Sequence, residues 1–336
     1  MTASSLPALL TGLDQELLPA GDILARLEAW SADAAEAFAD NTTKAWRADT
    51  GIWASWCQQE GEAGLPAEPA AIARFLKAQA EAGKGLATLK RYAASLARLH
   101  RAADLPDPTK TEKVGLALRA IARSIGSRQD QADPLNFEDL TRIIDTLGWT
   151  DPDGRRRLRL IDLRDGALLQ AAYDGLFRRS ELLSLQVEDL EDSDVDQTGV
   201  VLLRRSKTDQ AGQGAKIFLA GRTMTWLRDW LRLTGLEQGP IFRAVHKSGG
   251  LSANPLSDID VNRIFARRGR VAGIAKKLSG HSARVGCAQD MARKGFSLAE
   301  IMQAGRWKST TSLLRYIENI LASQGAAAKL AEGQGR

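Results

Sequence analysis

Apolar residues recur at helical spacing from Ile23 to about Arg123, and no segment of this region alternates strictly between apolar and polar residues. Within it, Trp46, Trp53 and Trp56 are seven and three positions apart, which places them on one face of a helix. This pattern predicts a bundle of four or five helices with the tryptophan face in its core. The clearest helices are expected at residues 44–59, 70–82, 88–102 and 113–124.

The second half of the chain has a more mixed pattern. Asn136 can cap a helix whose apolar positions follow at once. Residues 163–174 predict a buried helix that ends at Gly175 in the manner of a glycine C-cap. Two apolar runs, 200–203 and 217–219, flank a glycine-containing turn and predict a β-hairpin, after which helical patterns continue.

A polar, proline-ended stretch between the two regions predicts an interdomain linker. The fold class expected from these patterns is mainly α, with a helical bundle followed by a mostly helical domain that carries a small β-hairpin or sheet. The predicted parts are a flexible acidic leader at 1–20, the first domain at 21–126, a linker at 127–135 and the second domain at 136–336.

Length and composition argue against a membrane-spanning, secreted, disulfide-rich or zinc-binding protein. A length of 336 residues is enough for about two domains. The sequence has no run of about 18 apolar residues and no signal-peptide pattern at its start. Its two cysteines, Cys57 and Cys287, predict neither a disulfide framework nor a zinc site. We therefore expect a cytoplasmic protein with two buried free thiols.

The net charge of +5 is unevenly distributed. Residues 1–40 hold seven acidic side chains and one basic side chain, a net charge of −6. Residues 41–130 carry a net charge of +5, and residues 131–336 carry +6. Two basic lobes behind an acidic leader are the charge distribution expected of a protein that clamps DNA.

His281 and Arg284 lie three positions apart in the segment Gly-His-Ser-Ala-Arg-Val-Gly, and Trp307 and Tyr316 follow. On a helix, residues three apart share a face, so both side chains would point at one target. The chain has only three histidines and three tyrosines, and this grouping predicts phosphate chemistry with a phenolic nucleophile. Ionising a phenol at pH 7 costs about 4 kcal/mol, so a second arginine and a proton donor are also expected.

These motifs resemble the tyrosine recombinase (phage integrase) family. The resemblance rests on the segment 176–185 with Arg178 and Glu181, on Lys207 in the hairpin turn, and on the set His281, Arg284, Trp307 and Tyr316. It extends weakly through the first domain and spans roughly residues 40–332. It implies a two-domain clamp, with a SAM-like core-binding domain in front of a catalytic domain.

The resemblance also implies a role for each residue of the set. Tyr316 would attack a DNA phosphate and form a 3′-phosphotyrosyl link, with His281 assisting its proton transfer. Arg178 and Arg284 would bind the non-bridging oxygens. The remaining catalytic residues would be Trp307, donating its indole N–H to the phosphate, Lys207, protonating the leaving 5′-oxygen, and Glu181, orienting Arg178 or His281. No metal, nucleotide or other cofactor is implied.

The partner implied by the family is a double-stranded DNA site with inverted-repeat arms. A dimer would bind each site and a homotetramer would join two sites, with the terminal helix donated to a neighbouring protomer. The candidate DNA contacts are Lys44, Lys90, Arg91, Asn262 and Arg263. Whether Arg179 and Arg306, beside catalytic positions, also touch phosphate is left open.

Three functions stay open at this stage. The first is a site-specific recombinase. The second is a relative that relaxes DNA or resolves its ends with the same chemistry, in the manner of a type IB topoisomerase. The third is a DNA-binding architectural or regulatory protein that kept the fold. A role in binding alone needs no nucleophile, so the intact residue set favours the enzymes.

Overall fold

The computed structural model describes residues 20–38, 40–128, 130–193, 196–206, 209 and 212–336. The chain divides into two compact units between Asp130 and Gln131. The predicted linker, 127–135, spans this division, and all of the predicted leader except Ala20 lies outside the described residues. No helix among the described residues is long and apolar enough to cross a membrane.

The first unit is helical, as its apolar pattern predicts. Trp53 and Phe75 are fully buried, and their rings meet edge to face at 5.1 Å, while Trp56 stacks on Trp53 at 5.4 Å. The indole N–H of Trp53 donates to the carbonyl of Gly64 at 2.9 Å, which satisfies a polar group that burial would otherwise leave unpaired. The helices are α1 (Ala20–Ala37), α2 (Asp40–Glu60), α3 (Pro69–Glu81), α4 (Leu86–Ala102) and α5 (Glu112–Ile125), with a 3-10 turn at Pro108–Lys110.

The second unit is built around one helix, Leu160–Asp174, that is buried on nearly every side. Its two buried aspartates are paired, because the Arg268 guanidinium donates to both Asp162 and Asp165, at 2.8 and 2.6 Å. The helices of this unit are α6 (Phe137–Asp145), α7 (Leu160–Asp174), α8 (Arg179–Leu183), α9 (Gly221–Thr234), α10 (Asp258–Val271), α11 (Ser282–Arg293), α12 (Leu298–Gly305), α13 (Thr310–Tyr316), α14 (Glu318–Gln324) and α15 (Ala326–Gly333).

The second unit also contains small antiparallel sheets. The predicted hairpin is present as strands β4 and β5, with Val201 opposite Ile217, and β3 adds a third strand at its edge. Two further strand pairs, β1 with β2 and β6 with β7, are not predicted by the apolar pattern. The strands are β1 (Trp149–Thr150), β2 (Arg156–Arg157), β3 (Leu190–Asp192), β4 (Gly199–Leu203), β5 (Ala215–Leu219), β6 (Arg243–Val245) and β7 (Leu251–Pro255).

The mainly α fold class is confirmed, and local details refine it. Asn136 caps α6 as predicted, since its side chain accepts from the N–H of Asp139 at 2.9 Å. Helix α7 ends at Asp174 with Gly175 as its C-cap residue, as predicted, but the φ of Gly175 is −82° and not left-handed. A Cβ at Gly175 would lie 2.1 Å from the Phe177 ring, so this position requires glycine for space.

Helix α11 is held by a close approach of the chain that enters the second unit. The N–H of Leu135 donates to the carbonyl of Ser282 at 2.9 Å. A Cβ on Gly286 would lie 1.8 Å from the carbonyl oxygen of Leu135, a backbone atom that cannot rotate away. Only glycine at position 286 therefore allows this contact.

We predict opposite effects of Gly→Ala at two helical positions. Gly286→Ala lowers the free energy of unfolding by about 2 kcal/mol, because the new methyl group overlaps the backbone of Leu135. The matched control is Gly51→Ala in α2, where a Cβ meets nothing within 4 Å. There the better helix propensity of alanine adds about 1 kcal/mol. Denaturant melts of both variants measure this, and equal stability would contradict the packing described.

Candidate active site

A buried guanidinium lies at the centre of the motif residues. Arg284, on the first turn of α11, is 1% exposed. Its Nη2 donates to the carbonyl of Gly305 at 2.6 Å, and its Nη1 donates to the carbonyl of Leu176. Its guanidinium carbon lies 4.0 Å from the centre of the Trp307 ring. One arginine therefore joins three segments that are far apart in the sequence.

Two local features of the backbone make these contacts possible. Leu176 has a φ of +44°, a left-handed conformation that is rare for a residue with a branched side chain, and its carbonyl accepts from Arg284. At Gly305 a Cβ would lie 1.8 Å from the Trp307 ring. Glycine thus lets the indole fold back onto the end of α12, where it covers the guanidinium.

Glu181 forms ion pairs with two further arginines of the site, Arg178 and Arg306. Its carboxylate accepts from the backbone N–H of Arg178 at 3.0 Å, forms an ion pair with the Arg178 guanidinium, and accepts from Arg306 Nη2 at 3.1 Å. Burial alone would raise the pKa of Glu181, but the hydrogen bonds from Arg178 and the charges of both arginines hold that pKa below its ordinary value. Glu181 is therefore ionised at neutral pH.

The side chains of His281 and Tyr316 are in direct contact. The Nε2 atom of His281 lies 2.8 Å from the phenolic oxygen of Tyr316, and the two rings meet edge to face at 5.5 Å. The Trp307 ring lies 5.9 Å from the Tyr316 ring. From α11, Gln289 donates to the backbone carbonyl of Tyr316 at 2.9 Å. The tyrosine is thus fixed at both its side chain and its main chain.

The surroundings keep His281 neutral. Burial, with the positive charges of Arg284, Arg178 and Arg179, lowers the pKa of His281 to about 4. A neutral imidazole with its proton on Nδ1 can accept the phenolic proton at Nε2. Burial and the charge of Arg178 lower the pKa of Arg284 to about 9, so that arginine stays charged at pH 7.

The same shift links His281 to stability. Its pKa in the folded chain lies below its ordinary value of 6.5, so the unfolded chain binds a proton first as pH falls. The stabilisation that comes from the neutral imidazole is therefore complete above pH 6.5 and is lost as the pH falls towards 4.

The hairpin borders the site on one side. A recess of about 310 Å³ is lined by Ser206 and Asp209 from the hairpin and by Trp307 and Lys308 from the end of α12. Lys207, predicted as a catalytic residue, lies between these two hairpin residues but outside the described part of the chain.

Comparison with known proteins decides the family. The profile of the phage integrase family matches residues 135–321, which include every motif residue of the site. The chain belongs to the phage integrase family. The family expected from the motifs is thereby confirmed.

Two relatives align with most of this phage integrase. Recombinase Cre of Escherichia phage P1 is 29% identical over 314 residues, which cover 88% of this chain and 89% of Cre. An integrase/recombinase of Selenomonas ruminantium, a XerD homologue, is 33% identical over 290 residues, which cover 83% of this chain and 82% of the relative. Both relatives support membership among the tyrosine recombinases.

Solved structures share the fold. The XerH site-specific recombinase bound to palindromic difH substrate matches with a TM-score of 0.62 at 15% identity, covering 98% of this chain and 93% of that chain. A lambda integrase dimer bound to a COC' core site matches with a TM-score of 0.56 at 16% identity, covering 87% and 76%. At these identities the likeness concerns the fold alone.

The structure of this phage integrase brings six of the seven predicted catalytic residues into one site. They are Arg178, Glu181, His281, Arg284, Trp307 and Tyr316. Sequence reasoning left Arg306 open, although its guanidinium belongs to the same network. Leu176 lies in a motif segment, but the sequence gives it no role, because its contribution is a backbone conformation and not a side chain.

The five candidate DNA contacts are divided between the two units. Lys44 is exposed on α2, and Lys90 and Arg91 are exposed on α4, where Arg91 is paired with the buried carboxylate of Asp49. In the second unit, Arg263 is exposed on α10.

Asn262, the fifth candidate, is half-buried on α10. Its side-chain oxygen accepts from the N–H of Gly280 at 3.0 Å, so this residue also anchors the turn that precedes His281.

We predict that the imidazole of His281 reports on the charge of the site. Replacing Arg178 by Gln removes a positive charge and should raise the pKa of His281 from about 4 towards its ordinary value. An NMR titration of the histidine ring protons measures this shift. His100, in the first unit, is the internal control and should titrate identically in both proteins. An unchanged His281 titration would contradict the electrostatic description of the site.

Proposed function

We propose that this phage integrase is a site-specific DNA recombinase that cleaves and rejoins strands through a 3′-phosphotyrosyl intermediate on Tyr316. The observation that carries the proposal is the 2.8 Å contact between His281 Nε2 and the Tyr316 phenol beside buried cations. Two structures of similar fold are recombinases bound to DNA sites, which supports double-stranded DNA as the substrate.

The charge of the site supports an anionic substrate. Three guanidiniums and one carboxylate leave a net charge of +2 in a largely buried group, and an arriving phosphodiester offsets part of that excess. The members of the group are Arg178, Arg284, Arg306 and Glu181. Cations fixed before the reaction are effective because they need no reorganisation as charge develops on the phosphoryl oxygens.

The proposed reaction starts at the phenol. The oxygen of Tyr316 forms a bond to phosphorus while its proton passes to Nε2 of His281. The bond from phosphorus to the 5′-oxygen breaks, and Lys207 donates a proton to that leaving oxygen. Attack by a 5′-hydroxyl on the phosphotyrosyl group reverses these steps and rejoins a strand.

The other residues stabilise the transition state in this proposal. Arg178 and Arg284 hold the non-bridging oxygens, and the indole N–H of Trp307 donates to one of them. Glu181 orients Arg178, with which it forms an ion pair. The phosphotyrosyl bond retains the energy needed for rejoining, so we propose that neither nucleotide nor metal takes part.

We further propose that a dimer binds each inverted-repeat site and that a tetramer joins two sites. Lys44, Lys90 and Arg91 would contact DNA from the first unit, and Asn262 and Arg263 from the second. The terminal helix α15 would be donated to a neighbouring protomer. Support comes from its surface, because none of its residues is buried within the chain and Leu330 is 59% exposed.

We predict that the wild-type chain forms an SDS-resistant covalent adduct with a nicked duplex, since loss of the fragment beside the nick traps the cleaved strand. The duplexes are selected from a library of the DNA that flanks the gene. Tyr316→Phe should form no adduct yet bind the same duplex in a gel shift, because it lacks only the nucleophilic oxygen. Binding without an adduct by the wild-type chain would favour an architectural protein.

We predict that Leu330→Glu reduces strand exchange between two duplexes at least about tenfold, because a charge is costly in the apolar contact proposed for α15. Adduct formation on a single site should persist. Leu233→Glu on α9 is the matched control, since this leucine is 61% exposed. Recombination assays with two labelled duplexes measure the effect, and equal exchange by both variants would exclude donation of α15.

A further inference from the structure

Arg306 has a conformation and a location that are costly for an arginine. Its φ is +57°, in the left-handed region that favours glycine. Its Nε atom is buried and has no hydrogen-bond partner among the described residues. Such costs tend to persist where function requires them, so the contacts of this side chain point to a role.

Those contacts tie Arg306 to the two groups that hold the other arginines. Its Nη2 donates to Glu181 Oε2 at 3.1 Å and to the carbonyl of Leu176 at 3.4 Å. Glu181 is the partner of Arg178, and Leu176 is the partner of Arg284. Arg306 therefore bridges the anchors of both proposed phosphate-binding arginines.

The charge balance among Arg178, Glu181 and Arg306 indicates what this contact does. Without Arg306, the carboxylate of Glu181 neutralises Arg178, and the pair offers no net charge to a phosphate. With Arg306 on Glu181 Oε2, the carboxylate is shared between two guanidiniums and the three groups carry a net charge of +1. The side chain of Arg306 is only 12% exposed, so solvent screens this interaction weakly.

We propose that Arg306 is a positioning residue that compensates Glu181, so that Glu181 orients Arg178 without cancelling its charge towards the scissile phosphate. This inference rests on the proposed recombinase chemistry. It assigns to Arg306 an action through Glu181 and no direct contact with the phosphate.

A double-mutant cycle tests the proposal on the duplex trapped by the wild-type chain. The first-order rate of adduct formation is measured with protein in excess, and Kd is measured by gel shift. Arg306→Gln should slow cleavage about 100-fold with Kd changed by less than about threefold, since the lost charge acts on the transition state. In a Glu181→Gln background the same change should slow cleavage no more than about threefold, because no carboxylate is left to compensate.

Two further variants separate charge from backbone strain. Arg306→Lys keeps both the charge and the strained φ, and should recover cleavage to within about tenfold of the wild type. Arg306→Gly relieves the strain, so it should melt at or above the wild-type temperature while cleaving as slowly as Arg306→Gln. Asp104→Gly is the control for strain relief, since Asp104 has a φ of +59° in the first unit. The Asp104→Gly variant should cleave at the wild-type rate.

The outcomes are distinct. A 100-fold loss in both backgrounds would overturn the proposal in favour of direct contact with phosphate. If Arg306→Gln cleaves at the wild-type rate and the adduct still depends on Tyr316, the role proposed for Arg306 is overturned and the recombinase chemistry is not. Absence of any wild-type adduct on a duplex that the chain binds would overturn the recombinase chemistry, and this inference with it.

Discussion

The burial of the Arg284 guanidinium is the constraint on which the rest of the site depends. Removing a charge from water costs several kcal/mol unless the interior supplies partners. Here the partners are the carbonyls of Leu176 and Gly305 and the face of Trp307. Leu176 follows α7, and Gly305 and Trp307 lie together at the end of α12, so satisfying the one charge on α11 fixes the end of α7, the start of α11 and the end of α12 together.

That arrangement also sets the protonation of the groups beside it. Burial lowers the pKa of His281 most, and the cations that would bind a phosphate lower it further, so its imidazole is neutral. A neutral imidazole 2.8 Å from the Tyr316 phenol is ready to accept its proton. Burial and the excess positive charge thus act together to keep the imidazole neutral, and both are in place before any substrate arrives.

How much of this can be predicted from the sequence depends on the kind of interaction. The order and spacing of His281, Arg284 and Tyr316 predict the family, and the family is confirmed. Apolar patterns predict the helical fold and the β4–β5 hairpin because burial acts on periodicity. The cap at Asn136 is predictable for another reason, because it depends only on neighbours in the sequence.

Unusual backbone conformations, close packing and ion pairs between distant residues give no such signal in the sequence. The left-handed turn at Leu176 gives no residue-type signal, and the space that Phe177 demands of Gly175 looks in the sequence like an ordinary helix cap. Arg306 stands next to a motif, yet its partner Glu181 is 125 positions away. Its significance follows only from the folded arrangement.

The central claim is that Tyr316 forms the covalent bond to DNA. Mass spectrometry of the trapped adduct tests this claim most directly. After digestion of the adduct with protease and nuclease, the mass of the modified peptide identifies the tyrosine and the attached nucleotide. We predict one modified peptide, containing Tyr316 linked to a 3′-phosphonucleotide. A nucleotide on Tyr92, Tyr173 or any other residue, or a linkage to a 5′-phosphate, would contradict the account.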